Sequence, residues 1–120
     1  MVFLFFYFFK GVLSMGKVKR AFVFFKDEST AKISDNELFI NGNESLLVSV
    51  EGNGEIEIQG IADMNSTEWH PLALINKSDF SVHETITSSG IYSCSVDGYW
   101  KIRAEAKAIQ DSLSVCVNFI

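Results

Sequence analysis

A chain of 120 residues suits one domain and is long enough to bury a core without disulfide or metal staples. With 48% hydrophobic and 21% charged residues, its composition excludes wholesale disorder. A net charge of −5, with an isoelectric point near 4.9, argues against a phosphate backbone as the main partner, so no nucleic acid is expected.

Residues 2–9, Val-Phe-Leu-Phe-Phe-Tyr-Phe-Phe, form a continuous apolar run. The run is well short of the roughly 20 residues a membrane-spanning helix needs. A secretory signal would carry positive charge before such a run and a small-residue cleavage site after it. Here only Met1 precedes it, and Lys10-Gly11-Val12-Leu13-Ser14 follows. Neither secretion nor a membrane partner is therefore supported. Met15-Gly16-Lys17-Val18-Lys19-Arg20 reads as an ordinary start, so residues 1–14 are expected to lie outside the fold and residues 15–120 to form one domain; a short membrane-active or signal segment and a buried strand are the alternatives for 1–14. Lys17, Lys19, Arg20 and Lys26 make one local basic cluster, read as a solvated face.

Residues 21–25 are apolar and aromatic, a strand signature. Strand side chains alternate between faces, so Phe22, Phe24 and Phe25 cannot share one face. Something must cover both sides, and a neighbouring subunit is a natural cover. These three residues are accordingly candidates for subunit contact.

After a polar break at 27–30, Ala31, Ile33 and residues 37–40 give one or two short strands, closed by the turn signal Asn41-Gly42-Asn43. Residues 46–50 alternate, with Leu46, Val48 and Val50 inward; residues 55–59 do the same, with Ile56 and Ile58 inward. Gly52-Asn53-Gly54 between them predicts a tight hairpin. A polar loop at 63–67 leads to a strand over 69–75, a turn over 76–80 and a modest strand over 82–87. Residues 91–96 form another strand, and Asp97-Gly98 is a second hairpin signal. Residues 99–106 alternate, with Trp100, Ile102, Ala104 and Ala106 inward; a turn at 109–112 precedes a last strand at 113–119. The expected fold is all-β, an antiparallel, jelly-roll-like β-sandwich of about eight or nine short strands.

Cys94 shares the apolar face of Tyr92 and Val96, whereas Cys116 opposes the set Leu113, Val115, Val117 and Phe119. One thiol points in and the other out, so no disulfide is expected and a reducing compartment fits. His70 and His83 are isolated, and no Cys/His spacing suggests zinc. The loop acids Asp63, Glu68, Asp79 and Asp97 lack calcium-loop spacing. No nucleophile-elbow, zincin or P-loop motif occurs. No metal, cofactor or enzymatic activity is therefore expected. The glycosylation triplets at Asn43, Asn65 and Asn76 would matter only in a secreted eukaryotic protein. Trp69 and Tyr99 could stack on a sugar ring, while Trp100 falls on the core face.

One stretch has a distinctive order: Gly60-Ile61-Ala62-Asp63, Trp69-His70-Pro71-Leu72, Ile86 through Gly90-Ile91-Tyr92, then Val96-Asp97-Gly98-Tyr99-Trp100-Lys101-Ile102-Arg103. It resembles a pattern in small virion proteins of tailed bacteriophages and prophages. The resemblance implies a structural or decoration protein of head, tail or baseplate, present in symmetric copies. Its partners would be further copies of itself and other virion proteins, in the virion or in the bacterial cytoplasm before assembly. Each of these residues also has a job that any sandwich could demand: Trp69 and Leu72 would plug the core, Gly90 and Gly98 would make turns, and Arg103 would sit outward, near a neighbouring strand or subunit. A carbohydrate-binding module is the alternative.

Overall fold

A computed structural model describes residues 22–40 and 45–120. The apolar run 2–9, the basic residues Lys17, Lys19 and Arg20, the turn signal at 41–43 and the Asn43 triplet lie outside the described residues. Nine strands follow in chain order: β1 (Phe22–Glu28), β2 (Lys32–Ile33), β3 (Leu38–Phe39), β4 (Ser45–Ile61), β5 (His70–Pro71), β6 (Leu74–Asn76), β7 (Val82–His83), β8 (Gly90–Ser95) and β9 (Lys101–Phe119). The protein is all-β and antiparallel, with its strands in one open sheet ordered β1-β9-β4-β8-β6-β7. β2 and β3 also pair with β9, and β5 with β4.

Two long strands replace the expected short ones. β4 spans 17 residues and β9 spans 19, paired along almost their whole length from Leu46↔Phe119 to Ile61↔Lys101. The hairpin expected at Gly52-Asn53-Gly54 does not form, and neither does the turn expected at 109–112. Both signals mark one shared irregularity, where the register shifts between Gly52 and Asn53 and again between Glu55 and Ile56. Bulges of this kind bend a strand without ending it. Gly52 has φ +106° and its missing Cβ would strike the Ser112 carbonyl oxygen; a Cβ on Gly54 would strike the Ala108 carbonyl oxygen. Opposite them Asp111 takes a left-handed backbone with φ 66°, which Asp tolerates better than most residues. Glycine here permits close backbone approach within a strand rather than a reversal of the chain.

β1 departs from simple alternation in the same way. Its register against β9 shifts between Val23 and Phe25 and between Phe25 and Glu28. The first bulge lets the consecutive residues Phe24 and Phe25 both enter the core, at 5% and 3% exposure. Phe22 packs edge-on to Phe24 with ring centroids 5.1 Å apart. The chain thus covers both phenylalanines by itself, and the sequence argument for a neighbouring subunit over them does not stand.

The core is one cluster. Leu46, Val48 and Val50 of β4 meet Val115 and Val117 of β9, while Ile56 and Ile58 meet Ile102, Ala104 and Ala106. Leu72, Leu74, Ile86, Tyr92 and Val96 close it. Beyond β7, Ile86 exchanges two backbone hydrogen bonds with Ile56 at 2.8 and 3.0 Å, an isolated bridge where a strand over 82–87 was expected. The expected strand 69–75 is two short pieces, β5 and β6. Trp100 is half-buried rather than core: it precedes β9, so the alternation of Ile102 and Ala104 does not extend to it.

Candidate functional site

The register defines what each outer face presents. In the sheet half built on Ser45 to Val50, one outward row runs Val82, Ile75, Ser93, Leu47, Asn118, and the next runs Ile91, Ser49, Cys116, Val23. None of these side chains is charged. Charge returns at the rim, with Glu51, Lys77 and Glu84 two residues beyond Ser49, Ile75 and Val82. Val23, Ile75, Val82 and Ile91 are all exposed. In a chain with 21% charged residues, this face is the anomaly.

The other half has a different outer face. Phe39 pairs with Lys101 and Lys101 with Ile61; Arg103 pairs with Gln59; Glu105 pairs with Glu57. Ile61 is buried here but stands outside the core cluster, so this face has an apolar centre of its own. Around it, Lys101 Nζ lies 4.7 Å from the Trp100 ring centroid and 5.7 Å from those of Trp69 and Phe39. Phe39 meets Trp100 edge-on at 5.6 Å and is 59% exposed. The Arg103 guanidinium lies 4.2 Å from the Trp69 centroid, a cation–π stack.

A hydrogen-bond chain fixes these groups. Arg103 Nε donates to Gln59 Oε1 at 2.8 Å, and Gln59 Nε2 donates to Glu57 and Glu105 at 2.9 and 2.8 Å. Buried Gln59 thereby has both its amide nitrogen and its amide oxygen engaged. Its hydrogen bond lowers the pKa of Glu57, opposed by partial burial and helped by Lys107, whose Nζ lies 3.3 Å away. Lys101 pairs with Glu37 at 2.6 Å.

The sequence-predicted residues separate across these features. Phe24 and Phe25 are core and Phe22 packs against it, so this trio is not an exposed contact. Trp69 and Arg103 come together on the outer face. Trp69 is half-buried under Arg103 and does not plug the core, unlike Leu72. Tyr99 lies elsewhere: its ring packs where Gly60 lacks a Cβ, 2.6 Å from the position one would take, and it lines an open groove of about 760 Å³ with Leu72, Ala73, Val82 and Cys94. Trp69 and Tyr99 thus serve separate surfaces.

The loop acids and histidines mostly close their own turns. Asp63 accepts from the Asn65 N–H, and Asn76 accepts from the Ser78 N–H and hydroxyl. Asp79 accepts from the Ser81 N–H at 2.9 Å and the Ser81 hydroxyl at 2.6 Å, which lower its pKa. His83 Nε2 is 2.7 Å from the same Ser81 oxygen. With the hydroxyl proton given to Asp79, His83 acts as donor, so this geometry does not activate Ser81 as a nucleophile. His70 lies 3.9 Å from Glu68. Among the described residues, no three His, Cys, Asp or Glu side chains gather to hold a metal ion, and no helix is long and apolar enough to cross a membrane.

Both cysteines are free, Cys94 buried and Cys116 half-exposed on the uncharged face. Burial pushes the Cys94 thiol up to about 11. At pH 8 roughly one in a thousand Cys94 side chains would be thiolate, the reactive form. Iodoacetamide is therefore expected to modify Cys94 only after unfolding, and Cys116→Ser should leave the folded protein unlabelled by mass spectrometry.

No protein-family model matches the chain, and no curated protein does. Among solved structures, the crystal structure of SPBc2 prophage-derived protein YomS is similar, with a TM-score of 0.74 and 19% identity over 92% of this chain and 100% of that one. At that identity the likeness shows a shared fold.

Proposed function

We propose that this chain is a non-enzymatic structural protein of a phage or prophage particle, a component of head, tail or baseplate that works by self-association and docking. The carrying observation is the uncharged outer face of Val23, Leu47, Ser49, Ile75, Val82, Ile91, Ser93, Cys116 and Asn118. Two copies of a chain with net charge −5 repel each other through most of their surfaces. This face is where they can meet without burying an unpaired charge. The fold shared with a prophage-derived protein supports the phage setting. We also read the bent sheet as wrapping one core in two jelly-roll-like layers, because inward residues of both halves join a single cluster. A glycan module has less support: Arg103 occupies a face of Trp69, and Tyr99 sits on another surface.

Size-exclusion chromatography with light scattering tests the assembly reading. The protein should form a defined oligomer at micromolar concentration, and Ile91→Lys should dissociate it by at least tenfold in Kd. Ile91 is exposed, so the substitution leaves the melting temperature nearly unchanged. A concentration-independent monomer would count decisively against self-association.

A further inference from the structure

We propose that Arg103 forms, with Trp69 and Gln59, a preorganised receiving site for a carboxylate side chain on an acidic segment of a partner protein. The site lies on the charged outer face and does not depend on the uncharged one.

The contrast with neighbouring cations carries the inference. Lys32, Lys101 and Lys107 each face a carboxylate of this chain: Asp35, Glu37 and Glu57. Arg103 faces none. Only its Nε is engaged, and by the neutral amide oxygen of Gln59. Glu105, two residues along β9, and Glu57, opposite Glu105 on β4, are both bound to the other end of that amide. Gln59 therefore separates the guanidinium from the carboxylates beside it. The four N–H donors on the two Nη atoms have no partner among the described residues, while the guanidinium carbon lies over the Trp69 ring, 4.2 Å from its centroid. Stacking and the Nε bond fix the fork before any partner arrives. Little side-chain entropy is then left to lose on binding.

The fork geometry suits a planar carboxylate, which it can grip with two parallel hydrogen bonds. The nearby Glu37, Glu57 and Glu105 disfavour a dianionic phosphate more than a monoanion. A sugar acid would need an open aromatic face to stack on, and Lys101 and Arg103 already lie over the faces of Trp100 and Trp69. A protein partner fits better: tryptophan and arginine around a small apolar centre are the residue types that dominate protein contacts. Exposed Phe39 sits at the rim of this centre.

The chain's two tryptophans, Trp69 and Trp100, both belong to this cluster, so intrinsic fluorescence reports on it. Capped hexaglutamate is the probe, with hexaglutamine as the neutral control and polygalacturonate as the sugar-acid arm, all at low ionic strength. Hexaglutamate should give a saturable change that hexaglutamine does not, weakened by added salt. Arg103→Lys keeps the charge but removes the fork, and should raise the apparent Kd at least tenfold. Arg103→Gln should abolish binding, with circular dichroism confirming that both variants remain folded. Three outcomes overturn the proposal: no saturable response to hexaglutamate, equal binding by Arg103→Lys, or a response to polygalacturonate alone. A loss of self-association in Arg103→Lys, without hexaglutamate binding, would also overturn it and assign the site to a second copy.

Discussion

Phe24→Ala and Phe25→Ala should each destabilise the protein by about 3–5 kcal/mol, the range for removing a buried phenylalanine ring. Strict alternation along β1 would make only one of the pair costly. The bulge between Val23 and Phe25 makes both costly, because the two rings lie inside one core at 5% and 3% exposure. Urea unfolding followed by circular dichroism measures this directly. Val23→Ala supplies the internal control: Val23 is 44% exposed on the outer face and should cost well under about 1 kcal/mol. One silent phenylalanine would mean that the bulge does not hold both rings inside.

Gly52→Ala should cost about 3 kcal/mol, lowering the melting temperature by roughly 15 °C in a domain of this size. Two effects combine at this position. Alanine is strained at φ +106°, and its Cβ would collide with the Ser112 carbonyl oxygen across the β4–β9 ladder. The obstruction is backbone, so relief requires shifting β9 itself. Gly98→Ala separates the two effects. Gly98 has φ +88° but nothing within 4 Å of a Cβ, so only strain remains, at about 1 kcal/mol. Equal losses at the two positions in a thermal melt would show that the close approach at Gly52 is not what demands glycine.

Much of the strand pattern was legible because period-2 alternation depends only on local sequence. Leu46, Val48, Val50, Ile56, Ile58, Ile102, Ala104, Val115 and Val117 all lie in the core, as alternation requires. Cys94 points inward, and Cys116 and Arg103 outward, for the same reason. Glycine misled the reading at Gly52-Asn53-Gly54. A residue without Cβ permits a turn, but it equally permits one strand to press against another, and only the opposing Ser112 and Ala108 carbonyls distinguish the two. Those carbonyls lie more than fifty residues along the chain. Trp100 was misread because alternation was carried back past the first residue of β9.

The candidate surfaces were harder to see. Trp69 and Arg103 were each singled out, but nothing in their spacing said that one stacks on the other. Gln59 carried no signal at all, since an outward glutamine is ordinary until Glu57, Glu105 and Arg103 converge on it. The uncharged face draws Val23, Ser49, Ile75, Val82, Ile91 and Cys116 from six strands. Each looks unexceptional alone, and the absence of charge emerges only when the register places them side by side.

The long β4–β9 ladder also governs how the chain reaches this state. No tight turn joins the two strands. The nearest rungs, Ile61 with Lys101, close a loop of about 40 residues, and the farthest, Leu46 with Phe119, one of about 70. Closing the shorter loop alone costs roughly 3 kcal/mol of chain entropy before any contact repays it. This ladder is therefore slower to close than a hairpin-built one of equal size, and its entropically cheapest rungs are those at the Ile61 end. Until the ladder zips past the bend at Gly52, the apolar edges of Leu46 to Val50 and Leu113 to Val117 stand open to other chains. Copies folding side by side would pass through that interval with identical strands still unpaired, so the rate of zipping, as much as final stability, sets how much reaches the folded form.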